Sequence, residues 1–251
     1  MTLRADAPCT EGELRGIDSP KRREPVGARI ATASRGGVGR TPCIRRSALA
    51  IVGATAMLAA ILLGSPRVAC AQVSREALAS ARARLSVIIA KAGRRDPIAS
   101  PSIHIHKQGR RLDLCDGGIV VKTYAVALGS TPKGAKTKSG DRRTPEGKYF
   151  VCSRNGTSKY HLFLGVSYPN AADADAARIA GRINAATAAR LATAESARQK
   201  PDWYTPLGGA VGIHGGGTFL DWTWGCIALS DKDIEELWIA CPVGTPIVID
   251  P

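Results

Sequence analysis

IHGGGTFLDWTWGCIAL, residues 213–229, holds one histidine and one cysteine twelve positions apart among glycines and tryptophans. Residues 210–214 and 226–229 have strand character, so the stretch reads as two short strands joined by a glycine-rich loop. Cysteine chemistry needs a thiolate, and a free thiol titrating near about 8.5 supplies little of it at neutral pH. An imidazole within hydrogen-bond reach takes that proton, which makes Cys226 a candidate nucleophile and His214 its base. The glycines at 215–217 permit the chain reversal the pair requires. Gly225 leaves room beside Cys226 for a substrate carbonyl and for backbone N–H groups that would hold an oxyanion. The bland alternative is a small buried thiol beside a satisfied core histidine; the glycines flanking both residues favour catalysis.

Outward from this stretch the sequence is β-rich with helical insertions. Residues 102–107 (SIHIHK), 111–115 (RLDLC) and 119–128 (IVVKTYAVAL) alternate or are β-branched and are separated by Gly-containing turns, which are strand and hairpin signals. Strand character resumes at 148–152, 162–168 and 246–250. Residues 171–200 are alanine-rich and read as one or two helices broken near Gly181, and 230–240 as a capped helix with acidic residues at its positive end. Residues 73–93 have helix-forming composition, with Ser74 as N-cap and Gly93 as stop; this helix either packs on the domain or spaces it from a membrane. His104 and His106 share a strand face and make half a metal site, but no third ligand is apparent, so they and His161 read as ordinary strand residues. Trp222 and Trp224 either wall a substrate groove or belong to the core.

Histidine first, a short glycine-rich loop, then G-C-I on a strand fits neither papain-like nor caspase-like chain order. Together with DRRTPEGKY at 141–149 and GTPIVI at 244–249, IHGGG at 213–217 and TWGCIAL at 223–229 resemble the L,D-transpeptidase catalytic domain family, the YkuD type, over residues 102–250. The resemblance implies an α+β fold, a YkuD-like β-sandwich with a helical insertion and an N-terminal helix. It implies peptidoglycan as substrate: the cysteine attacks the carbonyl between meso-diaminopimelate and the terminal D-alanine of a tetrapeptide stem, D-alanine leaves, and an amine or water resolves the thioester. Carried over, Cys226 is the nucleophile, His214 the base, and Gly215 the carbonyl that orients the imidazole. The resemblance also implies that the N–H groups of Gly225 and Cys226 face the oxyanion, with Gly225 and Trp224 bordering the substrate. No cofactor or metal is implied, and the resemblance predicts acylation of Cys226 by carbapenems. Many members read S-H-G-C-I/V-R, whereas here Trp224 stands before the glycine and Ala228 where the arginine would be. That puts the grip on a substrate carboxylate in doubt and turns attention to Lys136, Arg142 and Arg143.

The rest of the chain bears on where such an enzyme would work. The formal charge is +14, shared by both ends, which suggests an acidic polymer or surface as partner. Arg45 and Arg46 precede an uncharged run at 47–64, followed by the small residues Ala69, Cys70 and Ala71. That order is the order of an export signal, so residues 1–71 read as a leader, 72–101 as helix and linker, and 102–251 as the catalytic domain. An uncleaved anchor, a lipidated Cys70 and a twin-arginine signal are the alternatives, and all place the domain outside the cytoplasm, in the periplasm or cell envelope. Nucleic acid is then not the expected partner, and membrane contact comes only through an uncleaved leader. Cys115, Cys152, Cys226 and Cys241 lie in the mature part, where disulfides are permitted; Cys115 and Cys152 are the candidate pair. The acyl acceptor is open among a second stem, an envelope-protein lysine, a free amino acid and water. An L,D-carboxypeptidase or wall amidase using the same Cys-His pair is the rival reading, and a non-catalytic peptidoglycan-binding module is the rival of another class.

Overall fold

The computed structural model describes residues 73–251. The expected leader with its apolar run at 47–64, including Arg45, Arg46 and Cys70, lies outside the described residues.

Helix α1 (Arg75–Lys91) starts where the sequence says it should: the Ser74 hydroxyl accepts the Ala77 N–H at 3.0 Å. It stops before Gly93, which takes φ 65°. Ala81, Leu85 and Ile89 recur every fourth residue and are fully buried, the single stripe an amphipathic helix offers a core. Leu85 and Ile89 share that core with the strand residues that follow, so α1 is part of the domain's packing rather than a spacer. Among the described residues no helix is long and apolar enough to cross a membrane.

The strands β1 (Pro101–His106), β2 (Arg111–Asp116) and β3 (Ile119–Ala125) form an antiparallel meander. In β1 the period of two sends Ile103 and Ile105 into the core and His104 and His106 to the other face, as strand pleating requires. The remaining strands are β4 (Gly147–Ser158), β5 (His161–Val166), β6 (Gly212–His214), β7 (Ile227–Ala228) and β8 (Pro246–Asp250). All eight belong to one mixed sheet of order β3-β2-β1-β8-β4-β5-β6-β7.

The expected β-sandwich is therefore corrected: there are not two sheets packed face to face but one sheet curled into a half-barrel. The cause is β4. Residues 147–150 pair with β8, while the rest of the strand pairs with β5. Register shifts between Val151 and Ser153 and between Asn155 and Ser158 bend and twist it as bulges do. One strand thus belongs to both halves of the curl.

Helices α2 (Ala171–Ile179) and α3 (Ala185–Ser196) are the inserted pair. Asn170 and Asp173 close a reciprocal capping box on α2, and Gly181, at φ 70°, makes the break between the helices. Helix α4 (Asp231–Ala240) is capped by Ser230 and drives Ile234 and Leu237 into the core. Its other inward residues are Glu235 and Glu236, both buried. Arg84 of α1 binds both carboxylates at 3.1 Å, His161 bonds Glu235 at 3.0 Å, and Lys122 bonds Glu236 at 2.7 Å.

The four cysteines among the described residues are free. The proposed Cys115–Cys152 pairing does not form because Cys115 is on β2 and Cys152 on β4, with β1 and β8 between them.

Candidate active site

Strand pairing brings His214 and Cys226 together. β6 pairs antiparallel with β5, Phe163 opposite His214, and parallel with β7, His214 opposite Ala228. Cys226 immediately precedes β7, so the twelve-residue excursion ends beside the strand it left. Three bonds hold that excursion in shape. The Gly215 N–H donates to the Tyr160 carbonyl at 3.0 Å, the Gly217 N–H to the Leu229 carbonyl at 2.8 Å, and the Gly216 N–H to Asp231 Oδ1 at 2.9 Å. Gly216 and Gly217 take φ of 105° and 98°, where a side chain would be strained. A methyl on Gly215 would lie 2.3 Å from Asp231 Oδ1, so the loop and the first turn of α4 are in direct contact.

His214 is 1% exposed. Its Nδ1 lies 2.6 Å from the Gly215 carbonyl oxygen. A carbonyl can only accept, so Nδ1 carries the proton and the neutral ring keeps its lone pair on Nε2. Tyr160 stacks on the imidazole at 4.6 Å, and Trp222 meets it edge-on at 5.6 Å. Burial holds the imidazole below its ordinary pKa, only partly offset by the bond to Gly215. Burial likewise pushes the Cys226 thiol up, against smaller opposing effects of the Gly212 N–H and the Lys136 ammonium. Both shifts favour the uncharged form of each group. The thiol donates to the Ala210 carbonyl at 3.8 Å. Ala210 sits at φ 53°, an uncommon conformation for a residue with a side chain.

His214, Cys226 and Trp224 line one cavity of about 240 Å³ with Lys159, Tyr160, Trp222 and Thr223. Trp224 is 71% exposed, so the core alternative fails for it. Arg142 lies over its ring at 4.9 Å. Trp222 is half-buried and donates Nε1–H to the Gly217 carbonyl at 3.1 Å, which makes it both wall and brace.

The two N–H groups expected at the oxyanion are not equivalent. That of Gly225 donates to Thr223 Oγ1 at 3.1 Å, and the Thr223 hydroxyl in turn donates to the Cys226 carbonyl at 2.8 Å. Thr223 therefore fixes the backbone on both sides of the nucleophile and uses the Gly225 donor to do so; the other expected donor is Cys226's own N–H. What Gly225 contributes is a close approach. At φ 126°, a methyl on it would meet the Arg143 carbonyl oxygen at 2.6 Å.

That carbonyl belongs to the basic loop, residues 129–143, which the TPEG turn anchors. Lys107, 2% exposed, donates from Nζ to Gly134 O at 2.8 Å, to Thr144 O at 3.2 Å and to Glu146 at 2.6 Å. The Thr144 hydroxyl accepts the Gly129 N–H at 3.0 Å. The loop carries Lys136, which is buried, paired with Asp141 at 2.8 Å, and close enough for its charge to act on the Cys226 thiol. Ala228 is fully buried; the cation lining the cavity is Lys159, while this loop brings Arg142 over Trp224 and the charge of Lys136 to bear on Cys226.

Sequence reasoning singled out Cys226, His214, Gly215, Gly225 and Trp224, and one compact region holds them all. It missed Tyr160, Ala210, Thr223 and Asp231. Asp231 carried one signal, its place in the first turn of a capped helix; the other three act through a backbone carbonyl, a ring face or a hydroxyl, which leaves no mark in sequence.

The family model of the L,D-transpeptidase catalytic domain, YkuD, matches residues 100–249. The chain belongs to that family. Among solved structures it is similar to an L,D-transpeptidase from Xylanimonas cellulosilytica, with 14% identity and a TM-score of 0.36 over 66% of this chain and 69% of that one. An L,D-transpeptidase from Mycobacterium smegmatis is 12% identical, with a TM-score of 0.37 over 61% and 59%. L,D-transpeptidase 1 of Mycobacterium tuberculosis is 15% identical, with a TM-score of 0.35 over 60% and 61%. The chain thus spans about three fifths of the length of the two mycobacterial enzymes. The search of curated proteins returned no match.

Proposed function

We propose that the chain is an exported L,D-transpeptidase that forms or modifies peptidoglycan cross-links through an acyl-enzyme on Cys226. The observation that carries the reading is the His214 Nδ1–H bond to Gly215 O, which leaves a basic Nε2 on a residue lining the same cavity as the thiol. Sγ leaves the Ala210 carbonyl and attacks the carbonyl carbon between meso-diaminopimelate and D-alanine while His214 Nε2 takes its proton. The Cys226 N–H faces the oxyanion. Collapse breaks the C–N bond, His214 returns the proton to the departing D-alanine amine, and a thioester remains. An incoming amine then gives up a proton to His214 and takes the acyl group, restoring the thiol. The periplasm or cell envelope is the place this substrate requires, in keeping with the leader read from the sequence.

The test is intact-mass spectrometry and product chromatography of the chain and its Cys226→Ala variant with purified disaccharide-tetrapeptide. A cross-linked dimer plus free D-alanine, absent with the variant, is the expected result. Tripeptide and D-alanine without dimer would move the assignment to an L,D-carboxypeptidase, and no Cys226-dependent product would overturn both.

A further inference from the structure

The outer face of the sheet, remote from Cys226, gathers metal-ligating side chains that the sequence keeps far apart. The pleat of β1 that buries Ile103 and Ile105 places the imidazoles of His104 and His106 side by side, ring centroids 4.1 Å apart. β8 runs parallel to β1 with Asp250 opposite His106, and its carboxylate Oδ2 reaches His104 Nε2 at 2.5 Å. One ligand atom from each of the three lies within 4.8 Å of the others. From the opposite side β2 supplies Asp113, whose Oδ2 is 3.1 Å from His106 Nε2 and whose Oδ1 accepts the Thr123 hydroxyl at 2.6 Å. The third ligand that β1 alone lacks arrives from the last strand, 146 residues beyond His104.

We infer that His104, His106 and Asp250 form a binding site for a borderline divalent transition cation, with zinc(II) as the reference ion. Two imidazole nitrogens and one carboxylate oxygen suit zinc, nickel or copper, whereas calcium and magnesium demand oxygen-only shells. Tetrahedral zinc with bonds of about 2.0–2.1 Å to nitrogen spaces its ligand atoms about 3.3 Å apart. The three side chains are 38%, 23% and 48% exposed, so they can close that distance by small rotations without disturbing the core. Asp113 holds the His106 ring as carboxylates commonly hold metal-binding imidazoles. Water would complete the shell on the solvent side. The cation would replace the hydrogen bond now joining His104 to Asp250 and would clip the last strand to the first of the sheet. The strands β4 and β5 separate this place from β6, so the cation would act on the fold and not on the thiol.

The experiment titrates the metal-stripped full chain with zinc chloride, by calorimetry and by thermal unfolding, alongside a His104→Gln/His106→Gln double variant and Asp250→Asn. The cobalt(II) absorption spectrum distinguishes imidazole and carboxylate ligands from thiolates. The expected result is one saturable zinc per chain, a rise in Tm that the double variant lacks, and at least tenfold weaker binding in Asp250→Asn. Cobalt should show no thiolate charge-transfer band, and the zinc-induced rise is read for each protein against its own metal-free Tm. Equal zinc binding by the double variant and the parent chain, a thiolate band, or no saturable binding would each overturn the inference. Asp250→Asn, which keeps the shape of the side chain, still decides the matter if the double variant folds poorly.

Discussion

Around β6 and β7 burial is the largest influence on the titratable pair, whereas between α1 and α4 the buried glutamates are met by basic side chains. At the first place burial lowers the affinity of His214 for a proton and raises that of Cys226, with Lys136 a smaller opposing influence on the thiol, and the direct partners are backbone carbonyls and aromatic faces. At the second, Glu235 and Glu236 are equally buried, yet Arg84, Lys122 and His161 reach them. Burial taxes charge in both. The two glutamates are met directly by basic side chains, whereas His214 and Cys226 have burial as the largest influence on their protons. A site meant to move one proton between two groups gains from having both uncharged at rest.

The largest break in that comparison comes from the pair itself. Cys226→Ala should abolish D-alanine release, and His214→Ala should lower kcat/KM by about 10²–10⁴-fold, the usual worth of a general base, with Tm changed little by comparison. Gly225→Ala tests the close approach: its methyl would meet the Arg143 carbonyl at 2.6 Å. The positive φ adds about 1–2 kcal/mol of strain, so activity should fall at least tenfold, seen as loss of acylation rate in single-turnover mass spectrometry. Equal rates for parent and variant would remove the role given to the basic loop.

The pH profile sharpens the contrast. An imidazole whose pKa is depressed stays neutral down to below about 6.5, and a base is lost only when it protonates. A thiol whose pKa is raised stays protonated to above about 8.5. Thus kcat/KM should fall only as pH drops through the lowered His214 value and should not decline between about pH 7 and pH 8.5. A descending limb in that interval would mean a thiolate–imidazolium pair instead.

The smallest effect on chemistry belongs to the charged joint. Arg84→Ala removes one of the cations serving Glu235 and Glu236. Arg84 is one-third exposed, and Lys122 and His161 remain, so the loss should be about 1–3 kcal/mol rather than the full cost of a stranded buried charge. Denaturant unfolding should register it, while kcat/KM of the folded protein stays within about twofold.

Much of this was legible in the sequence for local reasons. The Ser74 cap, the Gly181 break and the alternation at 103–106 are short-range rules, and the structure follows each of them. The sandwich expectation failed because no local pattern says that a twelve-residue strand will change partners halfway along. The helix at 75–91 was legible as a helix, but its depth of burial depended on Arg84 meeting carboxylates some 150 residues away. At the cavity, residue types and spacing named Cys226 and His214. They could not show that Thr223 would take the Gly225 N–H, because a hydroxyl two residues off looks the same free or bound.

The hydrogen bond from Cys226 to Ala210 has a consequence for indiscriminate chemistry. Peroxide and alkylating reagents attack thiolates, not thiols, and here burial disfavours the thiolate and the sulfur is turned toward a carbonyl. A molecule that cannot also engage His214 finds little to react with. The enzyme at rest should therefore outlast such reagents longer than a small-molecule thiol in the same solution, and become vulnerable only while substrate has drawn the sulfur away.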